Sequence, residues 1–122
     1  MALIASAAHP LRTQQVARAA VRALYDEMCL YPKPGLVSKT DNGSHDDMQA
    51  ATFIKSLFSL RHYFAAIYQA GMRDADFAEL TRLGIAAEVT MLRATAGVNT
   101  HRGAIFNLGL LCAALGLSLI HI

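Results

Sequence analysis

Two stretches of this chain concentrate side chains that do chemistry: PKPGLVSKTDNGSHDDM at residues 32–48 and GVNTHRGAIF at residues 97–106. Each places polar groups directly before an expected helix N-terminus, where free backbone amides and the helix dipole make a site for phosphate. Lys33, Lys39 and Arg102 supply positive charge, and Asn42, Ser44, Asn99 and Thr100 supply hydrogen bonds. Gly35, Gly43 and Gly103 lack a Cβ and allow backbone to approach a ligand closely. Asp46 and Asp47 suit a hydrated magnesium ion, which takes one or two carboxylates plus substrate phosphates, or a general base. The same two residues also suit a plain helix start, because the dipole favours acidic groups there. His45 and His101 titrate near neutrality and serve as acid, base or phosphate donor, or else as capping and packing groups. Arg102 offers a planar fork for phosphate, or a solvated charge. Glu88 belongs either to this site or to a solvent face near Arg82 and Arg93. Neither stretch matches GxxxxGK[ST], so an ordinary P-loop is not supported.

The elements that must hold these loops read as helices. From Leu11 to Leu30 the polar residues Gln14, Gln15, Arg18, Arg22 and Asp26 form one stripe and Val16, Ala20, Leu24 and Met28 the opposite one. Pro32 and Pro34 end that helix. A second helix is expected from near Ser44, capped by Ser44 with Asp47 three residues on, to Gly71. Its apolar face is expected to carry Met48, Ala51, Leu57, Phe58, Phe64 and Ile67. A third is predicted from about Ala75 to Ala96, with Leu80, Leu83, Ala87, Met91 and Ala94 inward, a bend allowed at Gly84 and a stop at Gly97. A fourth, from Gly103 to about Gly116, is apolar nearly all round and belongs at the centre of a bundle or in lipid. There is no alternating strand pattern and no repeat. The expected fold is an all-α bundle of about four helices with two Gly-rich polar loops, one domain over residues 1–122.

Composition narrows the function classes. Of the 122 residues 54% are hydrophobic and 16% charged, below the ~25% charged residues of ordinary soluble domains. That points to extensive burial or to a surface meant to be covered. The net charge of +2 arises from 11 basic and 9 acidic residues spread along the chain, which leaves no electrostatic footprint for nucleic acid. Cys29 and Cys112, without CxxC spacing, read as two small buried thiols in a reducing compartment. The N-terminus lacks the basic n-region of a secretory signal, so the cytoplasm is expected. Residues 103–122 hold no Lys, Arg, Asp or Glu and nearly reach the ~20 residues of a membrane span. A small membrane-associated helical protein is therefore one alternative, and a non-catalytic nucleotide-binding module is another.

The same two stretches carry a family resemblance. PKPGLVSKTDNGSHDDM, then FIKSLFSLRHYF, then AEVTMLRATAGVNTHRGAIFNLGLL resemble the triphosphoribosyl-dephospho-CoA synthase family from about Ala17 to Gly116. These enzymes make the prosthetic-group precursor for the acyl carrier subunits of malonate decarboxylase and citrate lyase, and ATAGVNTHRGAIFNLGLLCAA is most similar to the decarboxylase branch. The resemblance implies an all-helical transferase acting on ATP and 3'-dephospho-CoA. The ribose 2'-hydroxyl of dephospho-CoA attacks the anomeric carbon of the ATP ribose, adenine leaves and the triphosphate stays on the product. Mg2+ on the triphosphate is expected, and the product goes to acyl carrier protein modification.

The family's PKPGLV matches Pro32 to Val37, its GSH-x-DM matches Gly43, Ser44, His45, Asp47 and Met48, and its NTHKGAIF matches Asn99 to Phe106. The expected roles are Lys33, His101 and Arg102 on phosphate, Asp46 and Asp47 on magnesium or as base, and Asn42 and Asn99 orienting ribose or phosphate. Arg102 stands where the family carries Lys, which turns a point cation into a planar fork. Family members are more than twice as long, so the chain is expected to be the N-terminal part of a longer transferase domain. No membrane is expected, and its apolar last helix makes self-association an expected property.

Overall fold

The periodicity that marks helices in the sequence is realised as five helices in a computed structural model. It describes the backbone of residues 2–30 and 43–120 and the side chains of residues 12–30 and 50–120. In chain order they are α1 (Ala2–Leu30), α2 (Gly43–Ser59), α3 (Arg61–Met72), α4 (Phe77–Ala94) and α5 (Arg102–Ile120). The described residues are all-α, as expected. The helix count differs because the stretch expected as one helix from Ser44 to Gly71 is two. The break falls at Leu60, whose amide bonds the Leu57 carbonyl at 3.2 Å, while the Ser59 hydroxyl takes the Ser56 carbonyl at 2.6 Å. A serine side chain competing for a helical carbonyl is a known local alternative to the regular ladder.

The predicted stripes of α1 and α4 face as expected: Ala20 and Leu24 are buried, as are Ala87 and Met91, and the polar stripe of α1 is exposed. On α2 the expected face is corrected. Leu57 is buried, but Ala51 is exposed and Phe58 faces outward with the Arg61 guanidinium 5.1 Å above its ring. Asp76 caps α4 by accepting from the Glu79 amide at 2.9 Å, a contact worth about 1 kcal/mol. One unbroken helix passes through Gly84. The end of α4 comes where Gly97 was expected to place it: Ala96 and Gly97 take φ of 56° and 92°, and the Gly97 amide bonds the Leu92 carbonyl at 2.7 Å.

The core centres on α3, which packs against α5 on one side and α1 on the other. Leu60, Phe64, Ile67 and Tyr68 from the α3 region meet Met91 and Ile105, all almost completely buried, and each large apolar side chain so removed from water contributes roughly 1.5–3 kcal/mol. Glycines let α3 and α5 touch backbone to backbone. A Cβ on Gly71 would lie 2.0 Å from the Ala113 carbonyl oxygen, and one on Gly116 would lie 2.2 Å from that of Tyr68. The Tyr63 hydroxyl fills the space over Gly109 and donates to the Ile105 carbonyl at 2.6 Å.

Burial raises the Tyr63 phenol to about 12 and the Cys112 thiol to about 11, and the neighbouring Cys112 adds to the Tyr63 rise. Both groups are neutral when protonated, so the folded state holds their protons more tightly than the unfolded chain. The stability tied to them is complete below the unfolded values of 9.0 for Cys112 and 10.0 for Tyr63 and is lost as pH climbs to about 11 and about 12. Urea unfolding midpoints measured from pH 8 to 12 are expected to fall across that window, and to fall less steeply in Tyr63→Phe. An unchanged alkaline limb in that variant would contradict the assignment.

Two expectations about exposed groups are also settled. Cys112 is buried as expected, whereas Cys29 is exposed, because the last turn of α1 turns it away from the core. The apolar α5 is committed to α3 on one face, but Leu110, Leu111, Leu115 and Ile120 remain exposed on others. It is also long and apolar enough to cross a membrane, alone among the described helices.

Candidate functional site

The end of α4 and the start of α5 bring the second polar loop against α2 and α1. His101 occupies the cap position of α5: its carbonyl accepts from the Ile105 amide at 3.0 Å, and its own amide donates to the Met91 sulfur at 3.2 Å. The imidazole lies edge-on to Phe53, with ring centroids 5.7 Å apart at 75°. Its Nδ1 is 2.6 Å from the hydroxyl of Ser56, a completely buried side chain of α2, and the Thr100 hydroxyl in turn bonds Ser56. Backbone, ring and ring nitrogen of this histidine thus each meet a different neighbour.

Beside this cluster a cleft of about 590 Å³ opens between the C-terminal half of α1 and the N-terminal half of α5. Its polar lining is Glu27, Thr100, His101 and Asn107, with Gly103 and Ala104 from the first turn of α5 and an apolar wall of Leu24, Leu108 and Leu111. The amides at such a helix start lie outside the helix's own ladder. A concave site with an apolar wall, a few convergent polar groups and a helix N-terminus is chemically suited to a phosphorylated nucleotide-like molecule.

The expected site residues separate into three groups. Thr100, His101 and Gly103 line the cleft together. Asn99 is exposed on the loop and is not part of the lining, and Arg102 is engaged elsewhere, with its Nε and Nη2 both on Glu88 Oε2. That pair settles the open reading of Glu88: it faces Arg102, from α4, rather than Arg82 or Arg93. Gly43, Ser44, His45, Asp46 and Asp47 form the start of α2, which begins at Gly43 and so places Ser44 inside the helix rather than at the expected cap position; their side chains lie outside the described residues. Lys33, Gly35, Lys39 and Asn42 lie outside the described residues altogether.

Four residues of the site were not singled out by the sequence reading. Ser56 is the one with a legible signal, a hydroxyl within the inward stripe that also holds Phe53, Leu57 and Leu60. Phe53, Glu27 and Asn107 carry no pattern distinguishing them from ordinary helix residues. Among the described residues no group of three or more His, Cys, Asp or Glu gathers around a common point.

Fold and site together define an all-helical protein with a phosphate-compatible cleft at a helix start. Comparison with known proteins agrees. The family described as CitG, ATP:dephospho-CoA triphosphoribosyl transferase, matches residues 13–121, and the chain belongs to that family. It is 45% identical over 108 residues to a probable 2-(5''-triphosphoribosyl)-3'-dephosphocoenzyme-A synthase of Acinetobacter calcoaceticus, covering 88% of this chain and 36% of that protein. It is 44% identical over 110 residues to the 2-(5''-triphosphoribosyl)-3'-dephosphocoenzyme-A synthase of Haemophilus ducreyi, covering 85% of this chain and 34% of the relative. Protein CitXG of Haemophilus influenzae is 46% identical over 100 residues, covering 77% and 22%. The chain thus spans about a third of the length of the first two relatives. No solved structure matches it.

Proposed function

We propose that this chain supplies part of the active site of a transferase that moves the triphosphoribosyl group of ATP to the 2'-hydroxyl of 3'-dephospho-CoA and releases adenine. The observation that carries the reading is the placement of Thr100, His101 and Gly103 on one cleft at the start of α5, inside the segment that matches the family. In this reading His101, with the first-turn amides of α5, contacts substrate phosphate, and Lys33 adds a charge. Asn42 and Asn99 orient ribose or phosphate, and Gly35, Gly43 and Gly103 keep the backbone close to the ligand. Asp47 or Asp46, with His45 and Ser44 beside them at the start of α2, takes the proton from the attacking hydroxyl. A carboxylate near the anomeric carbon also stabilises the positive charge that develops there as adenine leaves.

Mg2+ brought in on the triphosphate would be held by Asp46 and Asp47 and would neutralise phosphate charge. Arg102 is given a smaller part than its sequence position suggests, because Glu88 already occupies two of its donors. The product would serve acyl carrier protein modification in malonate decarboxylase or citrate lyase, in the cytoplasm.

A membrane-associated role draws support from the length and apolar character of α5. The close backbone contacts of Gly71 and Gly116 work against it, since they tie that helix into the bundle. Retention in the membrane pellet after a carbonate wash would restore that reading.

The test is adenine release from ATP and Mg2+, dependent on added 3'-dephospho-CoA. It is to be run on this chain and on a form extended to the relatives' length by the genomic downstream sequence. Release by either form supports the transferase. ATP binding without adenine release by both folded forms would make this a nucleotide-binding module instead.

A further inference from the structure

We propose that the open face of α5 is an internal seam, covered by a helix from the part of the same polypeptide that lies outside the segment matched to the family. The residues of α5 sort into two opposite stripes at helical spacing. Ile105, Gly109, Cys112, Ala113 and Gly116 are buried against the bundle, while Gly103, Asn107, Leu110, Leu111, Ala114 and Ser118 are exposed. The exposed stripe is uncharged and repeats every three to four residues, the spacing by which one helix packs on another. Only 28% of the most apolar 18 residues of this helix is buried, although a helix apolar nearly all round belongs inside a core. The open stripe forms a ridge between two hollows. One is the large cleft, and the other is a depression of about 190 Å³ beside Leu80, Leu110, Ala114 and Leu117. Side chains of a crossing helix fit such relief.

Three occupants would cover this face, and the observations favour one. A second copy would pair a single face about 28 Å long and about 10 Å wide, well below the ~800 Å² per partner of a stable interface. A lipid bilayer would need α5 to leave α3, but Gly71 and Gly116 hold the two backbones in contact. Further polypeptide is the third: the matched segment is 36% and 34% of the first two relatives, so most of each protein lies outside it. A longer domain buries a larger share of its surface, and the stripe on α5 is the apolar surface available for that. Gly103 and Asn107 of the stripe also line the large cleft. The covering helix therefore walls the candidate site on the side that α1 and α5 leave open.

Ala114 lies on the midline of the stripe and outside the lining of the large cleft, which makes it the probe. In a Cys29→Ser background, with Cys112 buried, Ala114→Cys provides one accessible thiol. Its reaction with a maleimide is expected to be fast in this chain. In the form extended by the downstream genomic sequence it should be at least about tenfold slower, because reaction then waits on local opening. Ala114→Glu, which keeps a good helix former, is expected to leave the urea midpoint of this chain unchanged. It should lower the midpoint of the extended form, where it buries an unpaired charge.

Equal labelling of the two folded forms, or equal midpoint shifts, overturns the proposal. Protection of the extended form that disappears on dilution would assign the face to a second copy, and protection of this chain by phosphatidylcholine vesicles would assign it to lipid; either result overturns it too. If the extended form does not fold, the downstream part expressed as a separate chain is expected to slow labelling of this one, and no slowing overturns the proposal. None of these measurements requires adenine release, so the seam and the transferase reading stand or fall separately.

Discussion

Gly71→Ala is expected to lower stability by about 3 kcal/mol or more, enough to unfold much of the population of a marginal domain. One methyl does this because of what it meets. The new Cβ would sit 2.0 Å from the Ala113 carbonyl oxygen and 2.8 Å from its carbon, and backbone in the middle of α5 has no rotamer by which to yield. The two helices must separate, and with them goes the packing around Cys112, Ala113 and Tyr68. Gly116→Ala presses on the Tyr68 carbonyl from the other helix and should behave alike.

Gly103→Ala is the control, since nothing lies within 4 Å of its added Cβ. In the first turn of a helix it should be neutral or stabilising by up to about 1 kcal/mol. Urea midpoints at constant m-value measure all three. A Gly71→Ala protein as stable as the parent would mean that α3 and α5 do not meet as described.

The second large effect concerns the carboxylates at the start of α2. Asp47→Asn is expected to reduce adenine release by at least about 100-fold, the lower range for loss of a general base, with helical content by circular dichroism unchanged. Asparagine keeps the shape and hydrogen-bonding capacity needed at a helix start. A helix-capping role for Asp47 would therefore survive the substitution, and a catalytic one would not. Full activity in the variant would remove Asp47 from the chemistry and leave Asp46 as the base.

The contrast between what was legible in the sequence and what was not follows from how each feature is encoded. The burial pattern of α1 and α4 is written at a spacing of three to four residues, and Gly97 ends α4 because left-handed backbone there favours glycine. The break at Leu60 involves no glycine or proline. Two serines and a three-residue hydrogen bond make it, and serine is equally at home on a helix surface.

The site divides in the same way. Thr100, His101 and Gly103 stand in a Gly-rich loop ahead of a helix, a pattern visible in one dimension. Ser56 and Phe53 reach His101 only because α2 folds across the end of α4, and that proximity has no local signal. Arg102 shows the limit of residue type as a guide: its fork suits phosphate, but the fold supplies Glu88 as its partner.

The most direct measurement is adenine production from ATP and Mg2+ with and without 3'-dephospho-CoA, by this chain and by its downstream-extended form. Release that depends on dephospho-CoA, in the extended form at least, is the predicted result. Two folded forms that bind ATP and release no adenine would contradict it.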